Sequence, residues 1–137
     1  MKQLLFGLLF ISMSAVLSAQ SGTPEQKATG MTELFAKKFQ LSSAQETKMY
    51  QIQLRRFRDR DLITPNKTSD QPLYLEQLKA IEYGADISIQ LMLAESQLPQ
   101  YQAYSVERRE KRAVLAGELL SKGTSIGQVE MAILEME

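Results

Sequence analysis

Helix-start signals recur along this chain, and beyond its first twenty residues no stretch alternates apolar and polar residues as a β-strand does. In a capping box, a Ser or Thr side chain accepts a hydrogen bond from the backbone amide three residues later, and a Glu or Gln there accepts one in return. Three residue pairs have this spacing: Thr23 with Gln26, Ser42 with Gln45, and Ser125 with Gln128. These signals predict an all-α fold.

Apolar residues at helical spacing follow the first two starts. The first predicted helix spans about 24–39, and the second runs from the Ser42 cap to about 62. The turn at Thr64-Pro65-Asn66 favours a reversal of direction. The second and third helices are therefore expected to form an antiparallel hairpin.

The longest predicted helix spans about 72–96 and is followed by a break at Leu98-Pro99. A fourth helix, or a kinked continuation of the third, then runs to Gly123. Residues 124–137 carry a short helix that is a possible separate C-terminal element. The predicted fold is a small helical hairpin or bundle of four to five helices.

The N-terminal segment 1–19 has the pattern of a secretory signal peptide. Lys2 supplies the positive charge, the apolar run 4–17 is too short to span a bilayer, and Ser18-Ala19 form a cleavage site. We expect its removal to leave one helical domain over 20–137, periplasmic or secreted and without a stable membrane anchor.

The composition excludes many classes of site. The chain has no cysteine and no histidine, so disulfides, Cys/His and Ser/His nucleophile pairs, and His-ligated zinc or haem cannot form. It also lacks a Gly-rich phosphate loop. Sixteen basic and sixteen acidic residues leave no excess charge for nucleic acid. We therefore predict a protein that is not an enzyme, has no cofactor or metal, and binds no nucleic acid.

The segment Leu41-Ser42-Ser43-Ala44-Gln45 resembles the Leu-Thr-x-x-Gln signature of the periplasmic Spy/CpxP-like proteins, with Ser in place of Thr. Physically it is a helix start: Ser42 caps backbone amides, Gln45 reaches back to the cap, and Leu41 anchors the entry, near Met49. That family usually carries the motif twice. The nearest second match, over 98–102, is degraded because Pro99 cannot supply a capping hydroxyl.

The resemblance is best over 30–62 and loose over 72–115. It implies an ATP-independent envelope chaperone or a stress-regulatory relative, whose partners are unfolded or envelope proteins. It further implies an antiparallel homodimer that forms a curved helical cradle. The alternative function is that of a structural or adaptor subunit of an envelope complex. Such a subunit would dock through helix 72–96 and the C-terminal helix.

Basic residues cluster in two segments, 55–61 and 108–112, which lie beside apolar residues on predicted helices. A chaperone could use such a surface, because arginines attract acidic clients while Met and aromatic side chains offer adaptable contacts. The candidate binding residues are Met49, Arg55, Arg56, Phe57, Tyr101, Tyr104, Arg108 and Arg109. The alternative is a solvated face with pairs such as Arg55 and Asp59. Glu82 and Asp86, one turn apart, are predicted to be surface charges rather than an acid/base pair.

Overall fold

A computed structural model describes residues 22–136, and these residues form six α-helices and no strand. The all-α prediction is confirmed. The predicted signal peptide and its cleavage site lie outside the described residues. The helices are α1 (Pro24–Phe39), α2 (Ser43–Ile63), the single turn α3 (Asn66–Ser69), α4 (Gln71–Met92), α5 (Leu98–Ser121) and α6 (Ile126–Glu135).

Two of the three predicted capping boxes form in full, and at Ser125 only one of the two box bonds forms, from the Gln128 amide to the Ser125 hydroxyl. The Ser42 hydroxyl accepts from the Gln45 amide at 3.3 Å, and the Gln45 side chain accepts from the Ser42 amide at 3.0 Å. Thr23 and Gln26 make the same two bonds at the start of α1. Because both halves of each box are present, α1 and α2 begin where local sequence places them.

The predicted position of the end of the third helix is wrong. The helix over 72–96 stops at Met92, because Leu93 and Ala94 adopt extended backbone with ψ of 146° and 156°. A 3-10 turn, Glu95–Gln97, then leads into α5. Pro99 does not make the break, since it lies in the first turn of α5, where a missing amide hydrogen costs no helical bond.

The helices enclose a core with its largest cluster at one end. α1 packs on α2 and also contacts α5, and α2 packs on α4 in the predicted antiparallel hairpin. The cluster at the α1–α2 and α4–α5 turns contains Phe35, Phe39, Leu41, Met49, Ile89, Leu93 and Tyr101. Leu41 therefore packs with Met49, as predicted. At the other end, Met131 and Leu134 of α6 pack against Ile63, Tyr74 and Leu78.

Two glutamines join the two turns at the large cluster. Nε2 of Gln45 donates to Oε1 of Gln97 at 2.7 Å, and Nε2 of Gln97 donates to Oε1 of Gln45 at 3.1 Å. Each oxygen also accepts from the backbone amide at its own turn, Ser42 for Gln45 and Ala94 for Gln97. We call this reciprocal pair the glutamine clamp.

The clamp also binds the ends of the preceding helices. Nε2 of Gln97 donates to the Phe39 carbonyl at 3.0 Å, at the end of α1. Nε2 of Gln45 lies 3.4 Å from the Met92 carbonyl, at the end of α4. Carbonyls at helix ends lack intrahelical partners, so the clamp satisfies backbone groups from four helix termini at once.

The turn segment 93–97 is the counterpart of the motif at 41–45. Leu93 is buried like Leu41, and Gln97 occupies the position of Gln45. The segment 98–102, the nearest second match in the sequence, forms the first residues of α5 instead of a turn before a helix. Ala94 replaces the capping hydroxyl, which is why sequence reasoning missed this copy; the shared Leu-x-x-x-Gln spacing was the available signal.

The glutamine clamp should contribute more to stability than an ordinary capping box. Gln97→Ala removes both bonds to the Gln45 side chain and the bonds to the Phe39 and Gln40 carbonyls, so we expect a loss of about 2 kcal/mol in unfolding free energy. Urea unfolding monitored by circular dichroism measures this loss.

The matched control is Gln26→Ala, which removes the corresponding residue of the exposed box at α1 and should cost less than about 1 kcal/mol. A double-mutant cycle of Gln45→Ala with Gln97→Ala should reveal a coupling of about 1 kcal/mol. Additive losses would show that the two glutamines act separately.

Helix α6 is attached partly through the carboxylate of Glu135. The Tyr74 hydroxyl donates to Oε1 at 2.7 Å, and Nζ of Lys67 donates to Oε2 at 2.9 Å. Partial burial alone would raise the pKa of Glu135, but the hydrogen bonds from Lys67 and Tyr74 hold it below its usual value. Burial together with the Glu135 bond raises the pKa of Tyr74 to about 12. The ionised carboxylate is therefore the form that holds α6.

Attachment of α6 should weaken in acid. A carboxyl whose pKa is lower in the folded state stabilises that state above its unfolded pKa, and this stabilisation is lost as pH falls through the folded value. Glu135→Gln should lower the melting temperature at pH 7, and the difference from the unaltered protein should shrink as pH falls below about 5. Glu33→Gln, at an exposed position of α1, is the control. A difference independent of pH would contradict this role for Glu135.

Candidate protein-binding surface

The predicted binding residues do not form one exposed surface. Four are buried in the core: Met49, Arg56, Phe57 and Tyr101. Tyr104 is half-buried against the rings of Phe35 and Phe39, and Arg108 is half-buried as well. Only Arg55 and Arg109 are exposed. The proposed surface is therefore corrected: its apolar members lie on the inward faces of their helices, where they pack.

Arg56 is buried because it has a buried partner. Its Nε donates to Oε1 of Glu82 at 2.9 Å, and its Nη2 donates to Oε2 at 2.8 Å. A third nitrogen, Nη1, donates to the Gln53 side chain at 3.3 Å. The prediction that Glu82 is a surface charge is wrong, because this two-bond pair joins α2 to α4 inside the fold.

Asp86 performs a similar task between α4 and α5. It accepts from the Tyr101 hydroxyl at 2.7 Å and from Nη2 of Arg108 at 2.6 Å. Burial and the adjacent carboxylate raise the pKa of Tyr101, so this residue stays a neutral hydrogen-bond donor. Asp86 is only half-buried, and both acids predicted to be surface charges instead hold helices together.

A row of exposed apolar side chains lies on α4, on the side opposite its core-facing residues. Tyr83, Ile87 and Leu91 are spaced one turn apart and are 70%, 38% and 82% exposed. We call these three residues the α4 ridge. The sequence analysis did not identify this ridge, although the spacing 83, 87, 91 is visible in the sequence.

A groove lies on each side of the α4 ridge. On one side, Ala80 and Gly84 face Arg55 and Asp59 of α2. Nη2 of Arg55 donates there to Oγ of Ser88 at 3.2 Å, which is not the predicted pair with Asp59. The ridge therefore borders an exposed arginine contributed by a neighbouring helix.

The second groove lies between α4 and α5. Asp86 and Gln90 line its α4 wall, and the arginines Arg108, Arg109 and Arg112 line its α5 wall. Because residues 80 and 84 fall on one side of the ridge and residues 86 and 90 on the other, the ridge separates the two grooves. An apolar strip with basic side chains on both sides can contact apolar segments that carry acidic residues.

Metal and membrane sites were sought over the same part of the chain. Residues 22–136 contain no group of three or more Asp or Glu side chains arranged to hold a metal ion. Within that range, no helix combines the length and apolar character that crossing a membrane requires.

Comparison with known proteins identifies no relative. No protein-family model matches the chain, and neither the curated proteins nor the solved structures compared with it yielded a match. The α4 ridge and its two grooves are therefore interpreted from their own chemistry.

Proposed function

We propose that this protein is an exported, ATP-independent protein-binding protein of the chaperone kind, which holds partly unfolded clients on the α4 ridge. The observation that carries the proposal is the exposed apolar ridge between two arginine-containing grooves. Contiguous exposed apolar side chains on a folded domain are typical of interaction sites. The buried residues of the large cluster supply the rigid support.

The chemistry of the ridge suits varied, unfolded partners. Tyr83, Ile87 and Leu91 offer area without a shaped pocket, so they can contact many apolar sequences. Arg55 and Arg109 are exposed beside them and can attract acidic segments from a distance. Binding of this kind needs no nucleotide.

The resemblance to Spy/CpxP-like proteins supports the same proposal. Its support is the Leu41–Gln45 motif together with the matching positions Leu93 and Gln97. The proposal therefore includes a periplasmic or secreted location after removal of residues 1–19. It also includes an antiparallel homodimer. Light scattering of the purified protein tests the dimer directly, and a monodisperse monomer would refute it.

The second candidate is a structural or adaptor subunit that keeps one fixed envelope partner. Of its two predicted docking elements, α6 has its apolar side against Ile63, Tyr74 and Leu78 of its own chain. α4 retains the exposed ridge, so an adaptor would dock there. Crosslinking in the native envelope separates the two functions: one stoichiometric partner favours the adaptor, and many clients favour the chaperone.

The α4 ridge should be required for client binding. At a one-to-one ratio without ATP, the purified protein should suppress aggregation of a denatured client, measured by light scattering. The triple variant Tyr83→Ser, Ile87→Ser and Leu91→Ser should need about a tenfold higher concentration for the same suppression, because the apolar contact area is lost. Exposed substitutions of this kind should leave folding nearly unchanged.

Val114→Ser is the matched control, because Val114 is 62% exposed on α5 but lies outside the ridge. It should suppress aggregation as well as the unaltered protein. Failure of the unaltered protein to suppress aggregation, or full activity of the ridge variant, would overturn the proposed function.

A further inference from the structure

One edge of the Arg112 guanidinium, on α5, has no hydrogen-bond partner among residues 22–136. Its Nε and Nη2 atoms are buried and make no hydrogen bond within that range. Buried charged groups are normally paired, because an unpaired charge away from water is costly. Arg56 uses the same two atoms, Nε and Nη2, to bind both oxygens of Glu82. The free edge of Arg112 therefore has the geometry that a carboxylate or phosphate requires.

An internal correspondence relates Arg112 of α5 to Arg60 of α2. With a shift of 52 residues, Leu41 and Gln45 of the first turn match Leu93 and Gln97 of the second. The same shift matches two arginines of α2 to two of α5: Arg56 to Arg108 and Arg60 to Arg112.

The carboxylates near these arginines already have partners. Nη1 of Arg60 lies 3.6 Å from Oε1 of Glu82, beside the Arg56 pair. Arg108 pairs with Asp86, with 2.6 Å between Nη2 and Oδ2. The charges of Glu82 and Asp86 act on Arg112, but the oxygens of both carboxylates are bound by other side chains.

The groove that Arg112 lines is predominantly basic. The α4/α5 groove, an open depression of about 630 Å³, is lined by Arg108, Arg109 and Arg112 against the single carboxylate of Asp86. Burial and the nearby Arg108 lower the pKa of Arg112, because both act against its positive charge. An anion in the groove would offset the repulsion from Arg108.

We propose that the α4/α5 groove is an oxyanion site, in which Nε and Nη2 of Arg112 bind a carboxylate or phosphate group and Arg109 adds charge at the mouth. Because both nitrogens are buried, the guanidinium must turn toward the groove when the anion enters. This turn breaks no hydrogen bond at that edge. The site goes beyond the proposed function and does not depend on the α4 ridge.

The test measures the melting temperature of the purified protein against increasing sodium phosphate or sodium acetate, with sodium chloride holding ionic strength constant. A ligand that binds only the folded state raises the melting temperature in a saturable way. We expect saturable stabilisation by at least one of the two anions. Stabilisation by phosphate alone identifies a phosphate group, and stabilisation by acetate identifies a carboxylate; either supports the site.

Arg112→Gln should weaken the anion response about tenfold, since the charge and the two-pronged edge are lost. Without anion this variant should melt at a higher temperature than the unaltered protein, because it no longer buries an unpaired charge. Arg112→Lys is a second variant that keeps the charge but loses the fork, and it should also bind less tightly.

Arg58→Gln is the matched control, because Arg58 is an exposed arginine paired with Glu25 on the opposite part of the bundle. It should leave the anion response unchanged. No saturable response to either anion, or equal responses from the unaltered protein and Arg112→Gln, would overturn the site. Circular dichroism of each variant shows that it is folded before the comparison.

Discussion

The reciprocal hydrogen bonds of Gln45 and Gln97 are the constraint on which the helix arrangement depends. They join the end of α1, the start of α2, the end of α4 and the turn before α5. Helix ends carry unsatisfied backbone groups, and burying them next to the aromatic cluster would be costly without partners. The clamp removes that cost and sets the spacing of the four helices at this end.

One buried and one half-buried ion pair hold the helices together further along the bundle. Arg56 and Glu82 join α2 to α4, and Asp86 joins α4 to Tyr101 and Arg108 of α5. Such pairs add specificity of arrangement as much as stability, because each charge tolerates only a neighbour of opposite sign. With one side of α4 committed to these partners, its opposite side stays exposed as the α4 ridge.

Local sequence predicted the helix starts well and the surface poorly. The boxes at Thr23 and Ser42 depend on residues three apart, so their pattern is complete within a few positions. The counterpart at Gln97 was missed because Ala94 has no hydroxyl and the glutamine finds its partner on another helix. Phe57 and Leu91 are both apolar residues on predicted helices, yet one is buried and the other 82% exposed. Periodicity alone does not distinguish them when a helix carries apolar residues on more than one side.

The sequence by itself determined the all-α class, the starts of α1 and α2, and the absence of any cysteine or histidine chemistry. These properties depend on residue type and short spacing. Only the tertiary structure decided that Arg56 and Glu82 are buried partners and that Tyr83, Ile87 and Leu91 face outward. It also decided that Nε and Nη2 of Arg112 make no hydrogen bond within the described residues 22–136. Burial and pairing arise between residues far apart in the chain, and they depend on which helix faces meet across the bundle.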